Sequence, residues 1–350
     1  MKILRRPLPL IFVLLLACGA GTTWGQAVHF TLYQMTPLVF NPANTGGFYG
    51  SYRISLLYRD QYRSIAGNSG YKTPTFSVDV PVIRGFKKTD WVGAGVLFYS
   101  DKSGDAGLTV STFKISAAYH WALNKKGTST LAIAYQTGPL QREIKDKDKL
   151  IFGDQLQSGQ ASADANIIET EKKGVTDHVG GLKFTSKFNK TDEFNIGIAA
   201  GQFGNTNWSL IKEGGNDQIQ PRVHAQIGMS SLLSDKVRFS PNISYQNIWG
   251  TPANTFVLQG YFDYLYDEEK NTILKGGLGY RSGAGIGDAI QVMLGADIDA
   301  IRVMIGYDVN VSTLSSASGT FGAFEIAAQY IGKIYKRPKP DPIIFCPRFL

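Results

Sequence analysis

Large apolar side chains recur at every second position in the region that begins at residue 300, and the charged residues fall between them. Ile301, Val303 and Ile305 share one face of the chain, and Arg302 lies on the opposite face. A period of two is that of a β-strand. The stretch 300–312 is also long enough to cross a membrane as a strand, which takes about 9 to 11 residues. The chain must therefore form sheets, and the question is whether their apolar faces meet lipid or a second sheet.

The first 25 residues have the layout of a secretory signal peptide. Three cations precede the apolar run 8–17, and small residues follow it up to Gly25. We therefore exclude residues 1–25 from the fold and expect cleavage after Gly25. The competing interpretation is a lipoprotein signal in which Cys18 is acylated, because residues 15–18 loosely resemble a lipobox.

Apolar runs in the exported chain are shorter than the roughly 18 consecutive residues that a membrane-spanning helix requires. If the chain crosses a membrane, it must do so as a closed barrel, because closure satisfies every backbone group in lipid. Only Cys346 follows the leader, so an internal disulfide is not expected. The formal net charge is +8, and three of the cations lie in the leader. The exported chain is thus only mildly basic, and we expect no nucleic-acid partner.

Fourteen stretches read as strands, and an even number suits an antiparallel outer-membrane barrel. They are 51–63, 74–82, 91–100, 108–123, 129–142, 176–189, 193–202, 220–232, 236–248, 253–266, 271–282, 288–298, 300–312 and 321–335.

The connections between these strands alternate in length. Those at 190–192 and 267–270 are short and polar, whereas 143–175 and 203–219 are long. Outer-membrane barrels typically have short periplasmic turns and long outer loops. We therefore predict an all-β, transmembrane antiparallel β-barrel of about 14 strands. Both termini are expected in the periplasm, and the protein is expected in the bacterial outer membrane.

A soluble β-sandwich is the alternative, since its strands also alternate. Aromatic residues near the ends of apolar faces, such as Tyr52, Tyr58 and Trp121, favour the membrane barrel, which carries aromatic girdles. Charges on the opposite faces are tolerable only in a wet or plugged lumen. We assign to the lumen the charges of Arg53, Arg59, Asp79, Arg302, Asp308 and Glu325. The pattern leaves open whether the lumen is sealed.

The barrel at 51–335 is preceded by a segment at 26–50 and followed by a basic tail at 336–350. The preceding segment contains Pro37 and Pro42, which interrupt regular structure. It either enters the lumen as a plug or remains an ordered lead-in cap on the periplasmic side.

Short motifs are distributed over nearly the whole exported chain. They are Phe30-Thr-Leu-Tyr-Gln, Phe40-Asn-Pro-Ala-Asn-Thr-Gly46, Leu57-Tyr-Arg-Asp-Gln-Tyr62, Tyr99-Ser-Asp-Lys-Ser-Gly104, Gly279-Tyr-Arg281, Gly306-Tyr-Asp-Val-Asn-Val-Ser312 and Cys346-Pro-Arg-Phe349. Together they resemble the PorP/SprF family of outer-membrane proteins, which belongs to the type IX secretion and gliding motility machinery. The sequence departs from the family pattern at Tyr62, where Trp is expected, and in the long loop 143–175.

The resemblance implies a barrel that works with proteins exported by the type IX route. Such a partner carries a C-terminal sorting domain, and it is usually a large surface adhesin that the barrel helps to export or to hold at the surface. The resemblance also implies contacts with other secretion components, with periplasmic and peptidoglycan-linked ones as candidates, and with outer-membrane lipid.

Three segments are candidates for partner binding. The tail is rich in proline, so it is stiff enough to reach away from the barrel, and its end is apolar. The loop 143–175 mixes charged and apolar residues. The candidate partner-binding residues are Asn41, Pro42, Ala43, Phe152, Phe345, Cys346, Pro347, Arg348 and Phe349. The alternatives are a lead-in cap, a mobile solvated loop and a frayed terminus.

Catalytic and metal-binding patterns are weak. The four histidines show no metal-ligand spacing. His120 shares a strand face with Ser116, but no acidic residue can be assigned to orient it. We predict no cofactor, no metal and no enzymatic activity, with a barrel lipase or protease as the alternative of another class. The runner-up function is an outer-membrane pore or transporter for small or hydrophobic solutes.

Overall fold

The alternating stretches of the sequence form strands, as their period of two requires. The computed structural model describes residues 28–84, 89–151, 153–160, 171–189, 191–203, 207–210, 218–251, 253–283, 286–312, 315 and 319–334. The strands are β1 Tyr52–Gln61, β2 Tyr71–Arg84, β3 Trp91–Ser103, β4 Leu108–Ala122, β5 Ser129–Ile144, β6 Lys172–Lys187, β7 Glu193–Gly201, β8 Arg222–Ser234, β9 Val237–Ile248, β10 Asn254–Asp267, β11 Thr272–Gly283, β12 Ile286–Ile298, β13 Ile301–Asn310 and β14 Phe321–Gly332.

The strands form one closed antiparallel barrel. Each pairs with its neighbours in sequence, and β1 pairs with β14 in a register that runs from Tyr52 opposite Gly332 to Gln61 opposite Ala323. Closure matters because each unpaired backbone group in lipid costs several kcal/mol. The prediction of an all-β antiparallel barrel with fourteen strands is confirmed for the described chain.

The described helical elements are short, and none of them forms part of the barrel wall. They are the 3-10 turns Tyr33–Met35, Pro42–Asn44, Gly67–Ser69 and Lys147–Lys149 and the α-helical segments Pro37–Phe40, Arg63–Ala66 and Gly153–Ser158. Among the described residues, no helix combines the length and the apolar character that a membrane crossing requires.

The two faces of the wall differ in exposure. Leu56 and Ile115 point outward and are 50% and 56% exposed, whereas Leu57 and Lys114 point inward and are buried. Exposed aliphatic and aromatic side chains recur along the outer face of the strands. The outer face is therefore apolar and the inner face largely polar, as a lipid-embedded barrel requires.

The two ends of the barrel differ in their connections. One end has short connections such as 235–236 and 299–300, and we call it the short-turn end. The other end carries 145–171 and 202–221, and we call it the long-loop end. The chain enters β1 and leaves β14 at the short-turn end, which is the periplasmic end in outer-membrane barrels.

Strand β6 begins earlier than the sequence pattern predicts. It starts at Lys172, inside the predicted loop 143–175, and its first residues pair with β5 as far as Glu143. Residues 172–174 are exposed on both faces of the strand. Their alternation carries no signal because both faces meet solvent there, so only the backbone pairing marks the strand.

Candidate functional site

The lumen is filled by residues 28–47, which we call the plug. Thr31 is bonded to the wall in the long-loop half, and Thr45 is bonded to it near the short-turn end. Leu38 and Asn41, between them, have no exposed surface. Residues 29–45 thus lie inside the barrel and run along its axis.

Short turns satisfy part of the plug backbone. The amide of Met35 donates to the carbonyl of Leu32 at 2.8 Å, and the amide of Thr45 donates to that of Pro42 at 3.0 Å. Buried backbone groups need partners, and these turns leave the two ends of the plug to be satisfied by the wall.

The upper anchor comprises Thr31, Leu32, Arg59, Asp308 and Glu325, and it lies toward the long-loop end. The amides of Thr31 and Leu32 donate to the two carboxylate oxygens of Glu325 at 2.8 and 2.7 Å. Arg59 pairs with Glu325 and, at 3.2 Å, with Asp308, which also accepts the Thr31 hydroxyl. All five residues are at most 2% exposed. Buried charges are tolerable here because each is paired and hydrogen-bonded.

The upper anchor continues into neighbouring strands. Arg281 donates to Asp308 at 2.7 Å and also pairs with Asp288. Gln259 donates to the carbonyl of Thr31 at 2.8 Å. The plug is therefore held by one network that consists of Arg59, Arg281, Asp288, Asp308 and Glu325.

The lower anchor comprises plug residues Asn41 to Gly46 and the wall around them, toward the short-turn end. The amide of Gly46 donates to Asp79 at 2.7 Å. Arg53 holds Asp79 through two bonds of 2.9 and 2.8 Å and donates to the carbonyl of Asn44 at 3.0 Å. The Arg53–Asp79 ion pair thus bonds two backbone groups of the plug: Asp79 accepts from an amide, and Arg53 donates to a carbonyl.

His120 and Trp91 complete the lower anchor. Nε2 of His120 lies 2.8 Å from the carbonyl oxygen of Thr45, so this nitrogen carries the proton and donates. Trp91 donates to the carbonyl of Gly46 at 2.9 Å and stacks on the His120 ring at a centroid distance of 4.4 Å.

Asn41 fastens the plug to two adjacent strands. Its side-chain oxygen accepts the amide of Ala43 at 2.9 Å, which begins the turn that follows. Its side-chain nitrogen donates to the carbonyls of Leu182 and Ile198 at 3.1 and 3.3 Å. One side chain therefore both caps the turn and binds the wall.

Glycines in the wall allow this close approach, and we call Gly93, Gly181 and Gly197 the glycine seat. A Cβ atom at Gly93 would stand 2.2 Å from the carbonyl oxygen of Thr45. At Gly181 it would stand 2.3 Å from the side-chain oxygen of Asn41. The lower anchor therefore depends on the absence of side chains at these positions.

Between the anchors the plug packs through apolar side chains. Burial raises the pKa of the Tyr33 phenol above its ordinary value. Burying each large apolar side chain contributes about 1.5–3 kcal/mol. The cluster consists of Phe30, Leu32, Tyr33, Met35 and Phe40 from the plug and Leu57, Val257, Tyr261, Met293, Met304 and Ala327 from the wall.

Arg302 lies apart from the anchors. It forms a two-bond pair with Asp297 at 2.7 Å, and Asp297 also pairs with Lys275 at 3.4 Å. Arg302 and Asp297 line a cavity of about 320 Å³ at the short-turn end, together with Tyr49 and Lys333. Of the six charges assigned to the lumen, Arg302 therefore belongs to the mouth, and the other five hold the plug.

The candidate partner-binding residues are placed unevenly. Asn41, Pro42 and Ala43 are buried in the lower anchor, so they contact the barrel itself in this structure. Phe152, Phe345, Cys346, Pro347, Arg348 and Phe349 lie outside the described residues.

The sequence analysis did not single out Trp91 or the glycine seat. A signal for the seat exists, because several inward positions of β3 to β7 carry glycine or alanine, as at Gly93, Gly95 and Gly197. It becomes readable only when the register of the strands is known.

The long-loop end carries a packed group of residues from the end of β5 and from the loops. Ala106, Ile144 and Leu210 are buried together, and the Arg142 guanidinium lies 4.0 Å from the ring centroid of Trp208. Leu150 packs against this group, and Ile151, which follows it in the chain, is 71% exposed. This end therefore offers an ordered surface with apolar positions.

Among the described residues, no group of three His, Cys, Asp or Glu side chains is arranged to hold a metal ion. His120, considered above for catalysis with Ser116, donates instead to the plug backbone. The hydroxyl of Ser116 bonds the Thr45 hydroxyl at 2.9 Å.

Comparison with solved structures identifies barrels of similar fold. The CymD monoaromatic hydrocarbon channel is 14% identical, with 89% of this chain and 96% of that chain covered and a TM-score of 0.51. The toluene transporter TodX of Pseudomonas putida is 11% identical, with 84% and 92% covered and a TM-score of 0.49. The toluene transporter TbuX of Ralstonia pickettii is 13% identical, with 85% and 93% covered and a TM-score of 0.49. The likeness to CymD shows a shared fold.

Sequence comparison finds no match among proteins with curated descriptions. A family match does exist, to the type IX secretion system membrane protein PorP/SprF, and it extends over residues 23–330. This range includes the plug and nearly all of the barrel. The closed barrel and this match together locate the chain in the bacterial outer membrane, and the chain belongs to the PorP/SprF family of type IX secretion system membrane proteins.

Proposed function

We propose that this barrel assists the export or surface anchoring of a partner protein that bears a C-terminal sorting domain, and that it has no enzymatic activity of its own. Family membership supports a role in type IX secretion and implies other secretion components as partners. The observation that carries the proposal is the plug: the chain's own residues fill the lumen from Thr31 to Thr45. A filled lumen favours the binding of partner proteins at the two rims over the passage of solutes through the barrel.

The proposal divides the rims between two kinds of partner. The long-loop end receives the exported protein, around exposed apolar positions such as Ile151, with Phe152 as a candidate contact. The tail, through Phe345 to Phe349, receives periplasmic components of the machinery. The packed contacts around Ile144 and Leu210 support the first assignment, and the exit of the chain from β14 at the short-turn end supports the second.

Removal of the gene from its native bacterium tests the proposal. We expect one or a few proteins with C-terminal sorting domains to disappear from the cell surface while other exported proteins remain. Re-expression of the full chain should restore them, and a chain lacking residues 337–350 should not. An unchanged surface proteome in the deletion strain would refute the export role.

A pore for small or hydrophobic solutes is the second candidate. Its support is the similarity in fold to CymD, a monoaromatic hydrocarbon channel. Planar bilayers separate the candidates. A sealed, non-conducting barrel agrees with the export role, whereas steady conductance of the purified wild-type protein without any partner favours the pore.

The proposed lack of enzymatic activity has its own test. A lipid-hydrolysis assay with purified protein is expected to give no signal above a detergent blank. Activity that disappears in His120→Ala would reassign the barrel to the enzymes.

A further inference from the structure

We propose that the lumen wall is a binding site for a polypeptide segment folded into short turns, and that the plug occupies it as an exchangeable ligand. The competing ligand is a segment of the exported partner, and in that respect the inference rests on the proposed function. Three properties of the lumen carry it.

The wall is complete without the plug. Its strands pair in an unbroken ring from β1 to β14, and the described plug residues contribute turns and no strand. Departure of the plug therefore opens no sheet edge. The covalent link is one short connection that leads to Ser51, whose amide bonds the carbonyl of Gly332 at 2.7 Å.

The wall binds the plug largely through its backbone. Glu325 and Asp79 accept plug amides, and Gln259, Arg53, His120 and Trp91 donate to plug carbonyls. Every polypeptide offers these groups, whatever its side chains. In known modes of peptide recognition, main-chain bonds supply affinity and pockets for side chains supply specificity.

The side-chain contacts define which segment fits. Apolar positions in the middle of the plug meet Met293 and Met304, and methionine adapts to ligands of varied shape. The glycine seat admits a turn of the Asn-Pro type, with Asn41 bonded across two strands. The ligand is therefore an apolar or aromatic stretch that ends in a small, asparagine-containing turn.

Tethering explains why the resident segment occupies the site. A ligand linked to its site by a short connection acts at an effective concentration in the range of about 1 mM. A competitor succeeds when it reaches that concentration locally, or when the plug is weakened. An export apparatus that delivers a partner chain to the mouth of the barrel provides the first condition.

The test weakens the plug and leaves the wall intact. Full-length protein with Thr31→Val and Asn41→Ala loses plug side-chain bonds to Asp308, Leu182 and Ile198, and it is reconstituted in planar bilayers. We expect conductance above that of wild type, and we expect a synthetic peptide of residues 28–46, added at about 1 mM, to close it. A scrambled peptide is expected to have no effect.

A wall variant provides the matched control. Adding Gly181→Leu to the weakened protein fills the glycine seat, so the peptide should no longer close the channel. Gly180→Leu in the same background should leave closure by the peptide unchanged, because a Cβ at Gly180 meets nothing within 4 Å. The mobility of unboiled samples in gels verifies that each barrel is folded. If the double variant does not fold, Thr31→Val alone is measured.

Three results would overturn the proposal. A folded variant that stays closed shows that the plug is an integral part of the wall. A folded, conducting variant that ignores the peptide shows that the segment is not exchangeable, and equal closure by the scrambled peptide shows non-specific block. None of these results bears on surface display of the partner, which the deletion strain reports, so the two proposals fail separately.

Discussion

The two anchors of the plug use different physical means. At the upper anchor, two consecutive amides, of Thr31 and Leu32, are held by one carboxylate that Arg59 neutralises. At the lower anchor, an ion pair also serves the backbone, but the plug is in addition pressed against Gly93 and Gly181. The upper anchor therefore depends on charge and the lower anchor on shape.

The difference predicts opposite sensitivities. Removing a charged group should damage the upper anchor because the remaining charge is left buried and unpaired. Adding a methyl group should damage the lower anchor because its atoms are already in close contact. The predictions below use this contrast.

Among the changes that open the plug without removing a charge, the largest effect is expected for Gly93→Ala, which attacks the lower anchor by shape. The new Cβ would meet the Thr45 carbonyl oxygen at 2.2 Å and the Gly46 Cα at 2.9 Å. Both are backbone atoms and cannot rotate away. Overpacking costs about 1–3 kcal/mol, which corresponds to a rise in the open fraction of the plug of roughly 5- to 150-fold.

Thiol labelling measures this opening. Thr36 is 1% exposed, so Thr36→Cys, with Cys18 and Cys346 both changed to Ser, reports plug departure to a water-soluble reagent. Gly180→Ala is the matched control on the outer face, where an added Cβ has open space. Equal labelling rates in the two alanine variants would contradict the role given to the glycine seat.

The largest effect on the stability of the whole barrel is expected for Glu325→Ala, which attacks the upper anchor by charge. Arg59 loses a buried partner, and the amides of Thr31 and Leu32 lose their acceptor. Breaking a buried ion pair costs about 3–5 kcal/mol, and here the loss falls on the folded barrel as well as on the plug. Urea unfolding followed by tryptophan fluorescence measures it.

Glu269→Ala, in an exposed turn, is the control and should leave the unfolding free energy unchanged. Similar losses in the two variants would mean that the upper anchor does not stabilise the barrel.

The sequence predicted the wall far better than the anchors. Alternation is a local signal: Ile301, Val303 and Ile305 show their common face without any knowledge of the fold. The anchors are contacts between distant positions. Glu325 meets Thr31 across nearly the whole length of the chain, and only barrel closure brings the two together.

The plug itself could not be chosen over a lead-in cap from sequence. Pro37 and Pro42 reveal that residues 28–47 are not strands, but they do not reveal where those residues lie. The glycine seat could not be predicted from sequence either. Gly93 and Gly181 resemble other glycines of a barrel wall until the strand register shows that they face Thr45 and Asn41, respectively.

The smallest effect is expected for Asn41→Ala, and it links the two kinds of anchoring. The variant loses a cap on the Pro42–Asn44 turn and two bonds to the wall, which should cost about 1–2 kcal/mol of plug binding. In addition, the side-chain oxygen of Asn41 is the atom nearest to a Cβ at Gly181. Gly181→Ala should therefore cost less when residue 41 is already alanine, because the main clash is gone. A double-mutant cycle by thiol labelling at Thr36→Cys measures this coupling, and strictly additive effects would show that the lower anchor does not depend on shape at this contact.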